Sequence, residues 1–194
     1  AENARVLSYL DVLTGAEVGR QVAIVGAGGI GFDVAEFLTH AGESPTENLD
    51  LWKTEWGVGD TSANRGGLAE PHPAPSPREV TLLQRKAKAP GKGLGKTTGW
   101  IHRASLRAKG VQMVGGVAYE RIDRDGLHLT APDGPRLIAA DTVVICAGQE
   151  SRRDLAEALA ARGKPVHVIG GADVAAELDA KRAIDQGVRL AAAV

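Results

Sequence analysis

Gly26-Ala27-Gly28-Gly29-Ile30-Gly31 has the form G-x-G-x-x-G. Between a strand and a helix, that spacing cradles the pyrophosphate of a dinucleotide. Gly26 permits the tight turn, Gly28 lets the backbone approach the ligand, and Gly31 lets the helix pack against the strand. The pyrophosphate then sits at the positive end of the helix. The bland alternative is a βα turn whose glycines serve packing alone. The flanks speak against it: QVAIV (21–25) reads as a strand, and a helix is expected from about Phe32 to His40, ended by Gly42.

The identity of the nucleotide turns on the end of the next strand. Asp50 lies near the distance at which an acid would hold the ribose 2′-OH of NAD, but it falls inside an irregular stretch. EVTLLQ (79–84) is the better second strand, and it ends in Arg85-Lys86. Cations there favour the extra 2′-phosphate of NADP. Arg85 can grip it in a fork and Lys86 adds a point charge. From Val80 to Tyr119 there is no Asp or Glu, although the net charge of the chain is only −1. A basic segment in a near-neutral chain asks for an anionic ligand.

PGKGLGKTTG (Pro90–Gly99) has the look of a triphosphate-binding loop. The required first glycine falls on Pro90, which has no N–H to offer and fixes φ. The stretch fits better as a wrap around the adenosine 2′-phosphate or the pyrophosphate. Lys96 is its strongest contact candidate; a plain surface lysine is the competing reading.

Other chemistries find no footing. A Tyr-x-x-x-Lys pair is missing, since Tyr9 is followed at that spacing by Leu13 and Tyr119 by Asp123. The five histidines show no metal spacing, and no Ser/His/Asp set assembles. A single cysteine, Cys146, excludes a disulfide framework, a cysteine-ligated iron–sulfur cluster and a C-x-x-C zinc site. No apolar run is long enough to span a membrane and no signal peptide is evident, so the cytoplasm is the expected location. No catalytic residue is assigned. A chain that can hold a hydride carrier but shows no acid–base site suits hydride transfer to another cofactor.

The elements that must position these residues describe an α/β protein. Residues 5–14 are expected as a short amphipathic helix with Val6, Leu7, Leu10 and Leu13 on one face. An irregular insertion covers 43–78, with a short helix suggested by the spacing of Trp52 and Trp56. After the second glycine-rich stretch come a helix from about Thr98 to Lys109 and a strand at 111–114. VAYERID and GLHLTA follow as a hairpin, then RLIAA and the buried strand TVVICAG. Beyond Gly148, a helix is expected at 154–162 and a buried strand in PVHVIGG. A long helix is expected from Asp173 to Val194, with Val174, Leu178, Ile184, Val188 and Ala191 roughly on one side. From the residues alone, Asp173 reads as an N-cap.

Taken together, VAIVGAGGIGFDVAEFL, LLQRKAKAPGKGLGKTTGWIHR, TVVICAGQE and VIGGADVAAELDAKRAIDQG resemble the C-terminal part of bacterial NADPH-dependent 2,4-dienoyl-CoA reductase. The resemblance implies a Rossmann-like three-layer NADPH-binding domain, with a parallel sheet and a β-meander, over 20–148. Residues 1–19 would come from an FAD lobe, and 149–194 would be the closing strand and helix of that lobe. NADPH pyrophosphate falls on Gly26, Gly28, Gly29 and Gly31, and its 2′-phosphate on Arg85 and Lys86. FAD falls on Gly171 and Asp173, and Gly148 marks the passage between lobes. In such enzymes of unsaturated fatty acid degradation, electrons run from NADPH to FAD, then through a four-iron (4Fe-4S) cluster and FMN to the substrate. The barrel that holds those last two, and the first FAD fingerprint, have no counterpart here. The chain is therefore expected to be a piece that does not itself turn over dienoyl-CoA. Its implied partners are dinucleotide cofactors and the remaining polypeptide, with no nucleic acid and no membrane.

Two other classes compete. Ubiquitin-activating-like adenylating enzymes, which use ATP, also open on G-x-G-G-x-G and a helix ending in Ala-Gly. They usually carry an acid where Arg85-Lys86 stand and often paired cysteines for zinc. Nucleic-acid binding through residues 80–119 would show strong salt dependence, but only Trp100 and Tyr119 offer stacking surfaces there.

Overall fold

A computed structural model describes residues 5–176 and 179–194. They form two compact units that divide between Ala147 and Gly148. In the first unit the chain runs β1 (Arg5–Ser8), α1 (Tyr9–Leu13), β2 (Gln21–Val25), α2 (Gly29–Thr39), α3 (Leu49–Trp56), β3 (Glu79–Gln84), α4 (Gly99–Ala108) and β4 (Gln112–Gly115). It continues through β5 (Ala118–Asp123), β6 (Gly126–Ala131), β7 (Gly134–Ala139) and β8 (Thr142–Ile145). Five strands pair in parallel in the order β1-β8-β2-β3-β4, and β5-β6-β7 form an antiparallel meander. The parallel pairing of β1 with β8 places residues 5–8 in the same sheet as the glycine turn.

Period-two alternation along the central strands makes three layers. Val22 and Ile24 of β2, Leu82 of β3 and Val144 of β8 share one buried cluster with Phe32, Val34 and Leu38 of α2 and Leu106 of α4. Ala23, Val25, Leu83 and Val143 point the other way, into a cluster with Leu127 and Leu129 of β6 and Ile138 of β7. Ile24 and Leu82 are wholly buried, and such side chains each stabilise the fold by about 1.5–3 kcal/mol. This is the expected α/β sheet, with helices on one face and the meander on the other. No helix among the described residues is long and apolar enough to cross a membrane.

Several sequence expectations need correction. Residues 5–14 are not one helix. Ser8 closes β1 and caps α1, its Oγ accepting from Asp11 N (3.1 Å) while Asp11 Oδ2 accepts from Ser8 N (2.8 Å). Leu7 and Val12 are buried, whereas Val6, Leu10 and Leu13 are exposed. Helix α2 begins at Gly29, earlier than the apolar pattern suggested.

The second unit contains α5 (Asp154–Ala160), a 3-10 turn at Gly170–Ala172 and α6 (Ala180–Ala191). PVHVIGG is not a strand: this unit has no strand among its described residues, and an extended segment needs a neighbour's ladder to become one. Asp173 does not cap the last helix. Asp179 does, its Oδ1 accepting from Arg182 N at 2.7 Å. Leu178 lies outside the described residues.

Candidate nucleotide-binding site

Parallel strands bring their C-terminal ends to one edge, and ligands of open α/β sheets bind there, where the strand order reverses. Here β2 has β3 on one side and β8 on the other, and the glycine turn leaves β2 at that point. Gly26 N donates to Leu83 O and Cys146 N to Val25 O, both at 2.8 Å, so all three strand ends are stitched together.

The four glycines divide into two kinds. Gly26 has φ +114°, and an added Cβ would lie 2.8 Å from the Cys146 carbonyl. A Cβ on Gly31 would lie 1.8 Å from Gly26 O. Both positions are glycine because the protein's own backbone leaves no room. At Gly28 and Gly29 an added Cβ would meet nothing within 4 Å. Gly28 has φ −84° and ψ −171°, extended backbone that any residue adopts. Gly28 is also the N-cap of α2, gives no side-chain cap, and no acid occupies the first turn. The helix therefore presents its positive end uncapped beside open space.

Arg85 and Lys86 follow β3 directly and are exposed. Their turn is fixed from beneath. Gln84 Nε2 donates to Lys86 O at 3.0 Å and also to Lys88 O. Val117 N donates to Gln84 O (3.1 Å) and Gly116 N to Lys86 O (3.0 Å). The loop that carries Lys96 packs on α2 at Gly91, five residues before it. Gly91, at φ +74°, would clash with Phe32 Cζ (2.5 Å) if it bore a Cβ, and Arg103 Nη1 donates to Gly91 O at 2.7 Å. Lys96 itself is exposed.

A model of the pyridine nucleotide-disulphide oxidoreductase family matches residues 2–178. The chain belongs to that family. A curated relative, a metal reductase of Desulforamulus reducens, is 25% identical over 172 residues, covering 88% of this chain and 25% of that protein. The chain thus spans about a quarter of its relative's length. Among solved structures, 2-naphthoyl-CoA reductase in complex with 2-naphthoyl-CoA matches with TM-score 0.60 and 22% identity, over 87% of this chain and 21% of that one. Histamine dehydrogenase from Rhizobium sp. 4-9 matches with TM-score 0.58 and 15% identity, over 88% and 23%. At such identities the likeness is one of fold.

Gly148, Gly171 and Asp173 belong to the second unit, and Asp173 is held within it. Gln186 of α6 reaches back with both ends of its amide: Oε1 accepts from Gly170 N (2.7 Å) and Nε2 donates to Asp173 Oδ2 (3.2 Å). Arg153 Nε donates to Ala172 O at 2.7 Å and Nη2 to Asp173 O. Sequence reading missed Gln186 and Arg153, which carry no motif of their own.

The one cysteine, Cys146, is half-buried and directly follows β8. Burial pushes the Cys146 thiol up to about 12, leaving it protonated at neutral pH. Two cavities lie away from the glycine turn. One, of about 610 Å³, is lined by Gln21, Arg78, Glu79 and Arg136. The other, of about 500 Å³, is lined by Phe37, Trp52, Trp56 and Trp100, which are all three tryptophans of the chain and one of its two phenylalanines. Beside it, Lys109 Nζ pairs with Glu55 Oε1 (3.2 Å), their side chains 8% and 13% exposed, and His102 Nδ1 meets Glu36 Oε1 at 2.7 Å. These contacts tie the 43–78 insertion to α4 and α4 to α2.

Proposed function

We propose that this chain is the NADPH-binding electron-entry module of a flavoenzyme, passing hydride from NADPH to FAD in an enzyme like 2,4-dienoyl-CoA reductase. The division among the glycines carries the reading. Gly28 and Gly29 lack side chains although the protein leaves room for them, so the space serves something else. A pyrophosphate fits it: the uncapped end of α2 offers backbone N–H groups and a positive dipole. Arg85 takes the ribose 2′-phosphate in a fork, Lys86 adds charge, and Lys96 supplies a further cation from its loop.

In the second unit, Asp173 accepts from the flavin ribityl chain and Gly171 lets the backbone approach. Gly148 is the passage from the NADPH lobe to the FAD lobe. When bound, the two cofactors supply the hydride donor and acceptor; this chain binds and orients them. The basic 80–119 segment serves the cofactor and not a nucleic acid. The likeness in fold to a reductase complexed with an acyl-CoA is in keeping with a CoA-thioester substrate for the whole enzyme. FMN, a 4Fe-4S cluster and the substrate barrel belong to the remaining polypeptide. The relatives' greater length supports this.

The test is Arg85→Glu, with NADPH and NADH titrated by fluorescence. NADPH affinity should fall roughly tenfold to a hundredfold, the worth of a charge-assisted pair, while NADH changes less than about twofold. An equal fall for both removes the 2′-phosphate from Arg85.

A further inference from the structure

Tyr119 Oη is buried and, among the described residues, is the one buried side-chain nitrogen or oxygen with no hydrogen-bond partner. Buried polar groups are normally paired, and one left over asks for a reason. Its place in the fold suggests one. Tyr119 packs against the cluster between the sheet and the meander. Its strand starts directly beneath the turn bearing Arg85, tied there by the bonds from Val117 N to Gln84 O and from Gly116 N to Lys86 O. The Arg85 charge reaches the phenol, although burial wins and pushes Tyr119 up to about 12. At any ordinary pH the group is thus a hydroxyl with a proton to donate. Arg85, exposed above it, makes no hydrogen bond or ion pair among the described residues. A guanidinium has donors only.

The buried phenol lacks an acceptor, and the exposed guanidinium near it is a group that binds anions in a fork. A phosphate monoester offers charged oxygens to both, pairing with the guanidinium in a fork and leaving an oxygen for the phenol. We infer that Tyr119 is a further nucleotide-specificity residue, its hydroxyl donating to the ribose 2′-phosphate beside Arg85. This rests on the NADPH reading above. Since Oη is covered in the free chain, the 85–88 turn must lift slightly to expose it. That turn is solvent-exposed, and the lift must loosen the bonds that the Gln84 amide and Gly116 N make to its carbonyls, which the ligand's contacts offset.

Tyr119→Phe removes one oxygen and keeps the ring. The melting temperature of the free chain should stay or rise, because no bond is lost. NADPH and 2′-AMP should bind about tenfold more weakly or worse, with NADH and 5′-AMP unchanged. NADPH affinity within about twofold of the parent overturns the inference. So does a fall in melting temperature of several degrees with NADPH binding intact, which would mean that an internal water satisfies the hydroxyl. Arg85→Glu separates the levels. If Arg85→Glu erases the NADPH preference and Tyr119→Phe does not, only the role of Tyr119 fails. If neither does, the 2′-phosphate reading fails with it.

Discussion

Replacing Gly31 and Gly28 one at a time by alanine tests whether the glycine turn serves the fold or a ligand. At Gly31 the new methyl carbon would sit 1.8 Å from Gly26 O. A real Cβ rarely comes nearer than 3.0 Å to any atom, so α2 or the turn must move by more than an ångström. Both atoms belong to the backbone framework, and no side chain can rotate away. Overpacking of this kind costs typically 1–3 kcal/mol, and with backbone on both sides the upper end is expected. At roughly 2–4 °C per kcal/mol for a chain of this size, Gly31→Ala should melt about 6–12 °C lower. Gly28→Ala meets nothing within 4 Å and keeps an allowed conformation. Its cost is limited to the weaker N-cap, about 1 kcal/mol at most. It places a methyl group where a pyrophosphate would approach, so NADPH affinity should fall at least tenfold. Calorimetry and a nucleotide titration on each variant decide the matter. A Gly28→Ala chain that binds NADPH like its parent, or melts as low as Gly31→Ala, would refute the assignment of that space to a ligand.

Three further outcomes are expected, two from Cys146 and one from the Lys109–Glu55 ion pair. The Cys146 thiol holds its proton up to about 12 in the fold against an ordinary value of 9.0. Between those values the unfolded chain sheds a proton that the folded chain keeps, so stability falls as pH rises from 9 towards 12. The slope is at most ~1.4 kcal/mol per pH unit, and less for a thiol that keeps some contact with water. Urea midpoints at pH 8, 10 and 11 should show a shallower loss in Cys146→Ala, and an unchanged slope would contradict this. At pH 8, thiol reagents should label the folded chain far more slowly than the unfolded one. Lys109→Met should cost about 1–3 kcal/mol by leaving the Glu55 carboxylate without its partner, and Lys109→Met with Glu55→Leu should recover most of it. Because every tryptophan lines the adjoining cavity, the loss of α3 docking should appear as a red shift of tryptophan emission.

What could be read from the chain followed burial. QVAIV, EVTLLQ and TVVI lie at or near the middle of the sheet and are apolar for that reason, so they were legible as strands. The Trp52–Trp56 spacing revealed α3 because both residues face one way. Residues 5–14 were misread because Val6, Leu7, Leu10 and Leu13 fit a helical stripe by chance, while the capping bonds of Ser8 and Asp11 decide the break. In VHVI the alternation of a strand is present but the neighbour is not, and sequence periodicity carries no information about neighbours. Asp173 and Asp179 are equally good caps on paper; tertiary contacts from Gln186 and Arg153 claim the first. The four glycines are one letter in the sequence. Only coordinates show that Gly26 and Gly31 answer to the protein and Gly28 and Gly29 do not. Tyr119 was read only for a missing lysine partner and for stacking, since an orphaned hydroxyl has no sequence signature.

The thiol bears on the direction of electron flow. A reduced nicotinamide gives up a hydride, two electrons together, and amino-acid side chains do not accept one. Within a disulphide oxidoreductase family the first thought is a cysteine pair, but this chain has one cysteine, and burial keeps it protonated to about 12. It also lies at the end of β8, where its backbone carbonyl closes against Gly26; its contribution there is to the shape of the turn. If NADPH binds at the glycine edge, its hydride needs an acceptor other than the Cys146 thiol, in a bound group or in the rest of a longer polypeptide. The flavin proposed at Asp173 and Gly171 would be one such acceptor. It also yields a simple control: Cys146→Ala should leave NADPH affinity and hydride delivery to added flavin unchanged, and a chain that lost either would show the thiol to be part of the electron path after all.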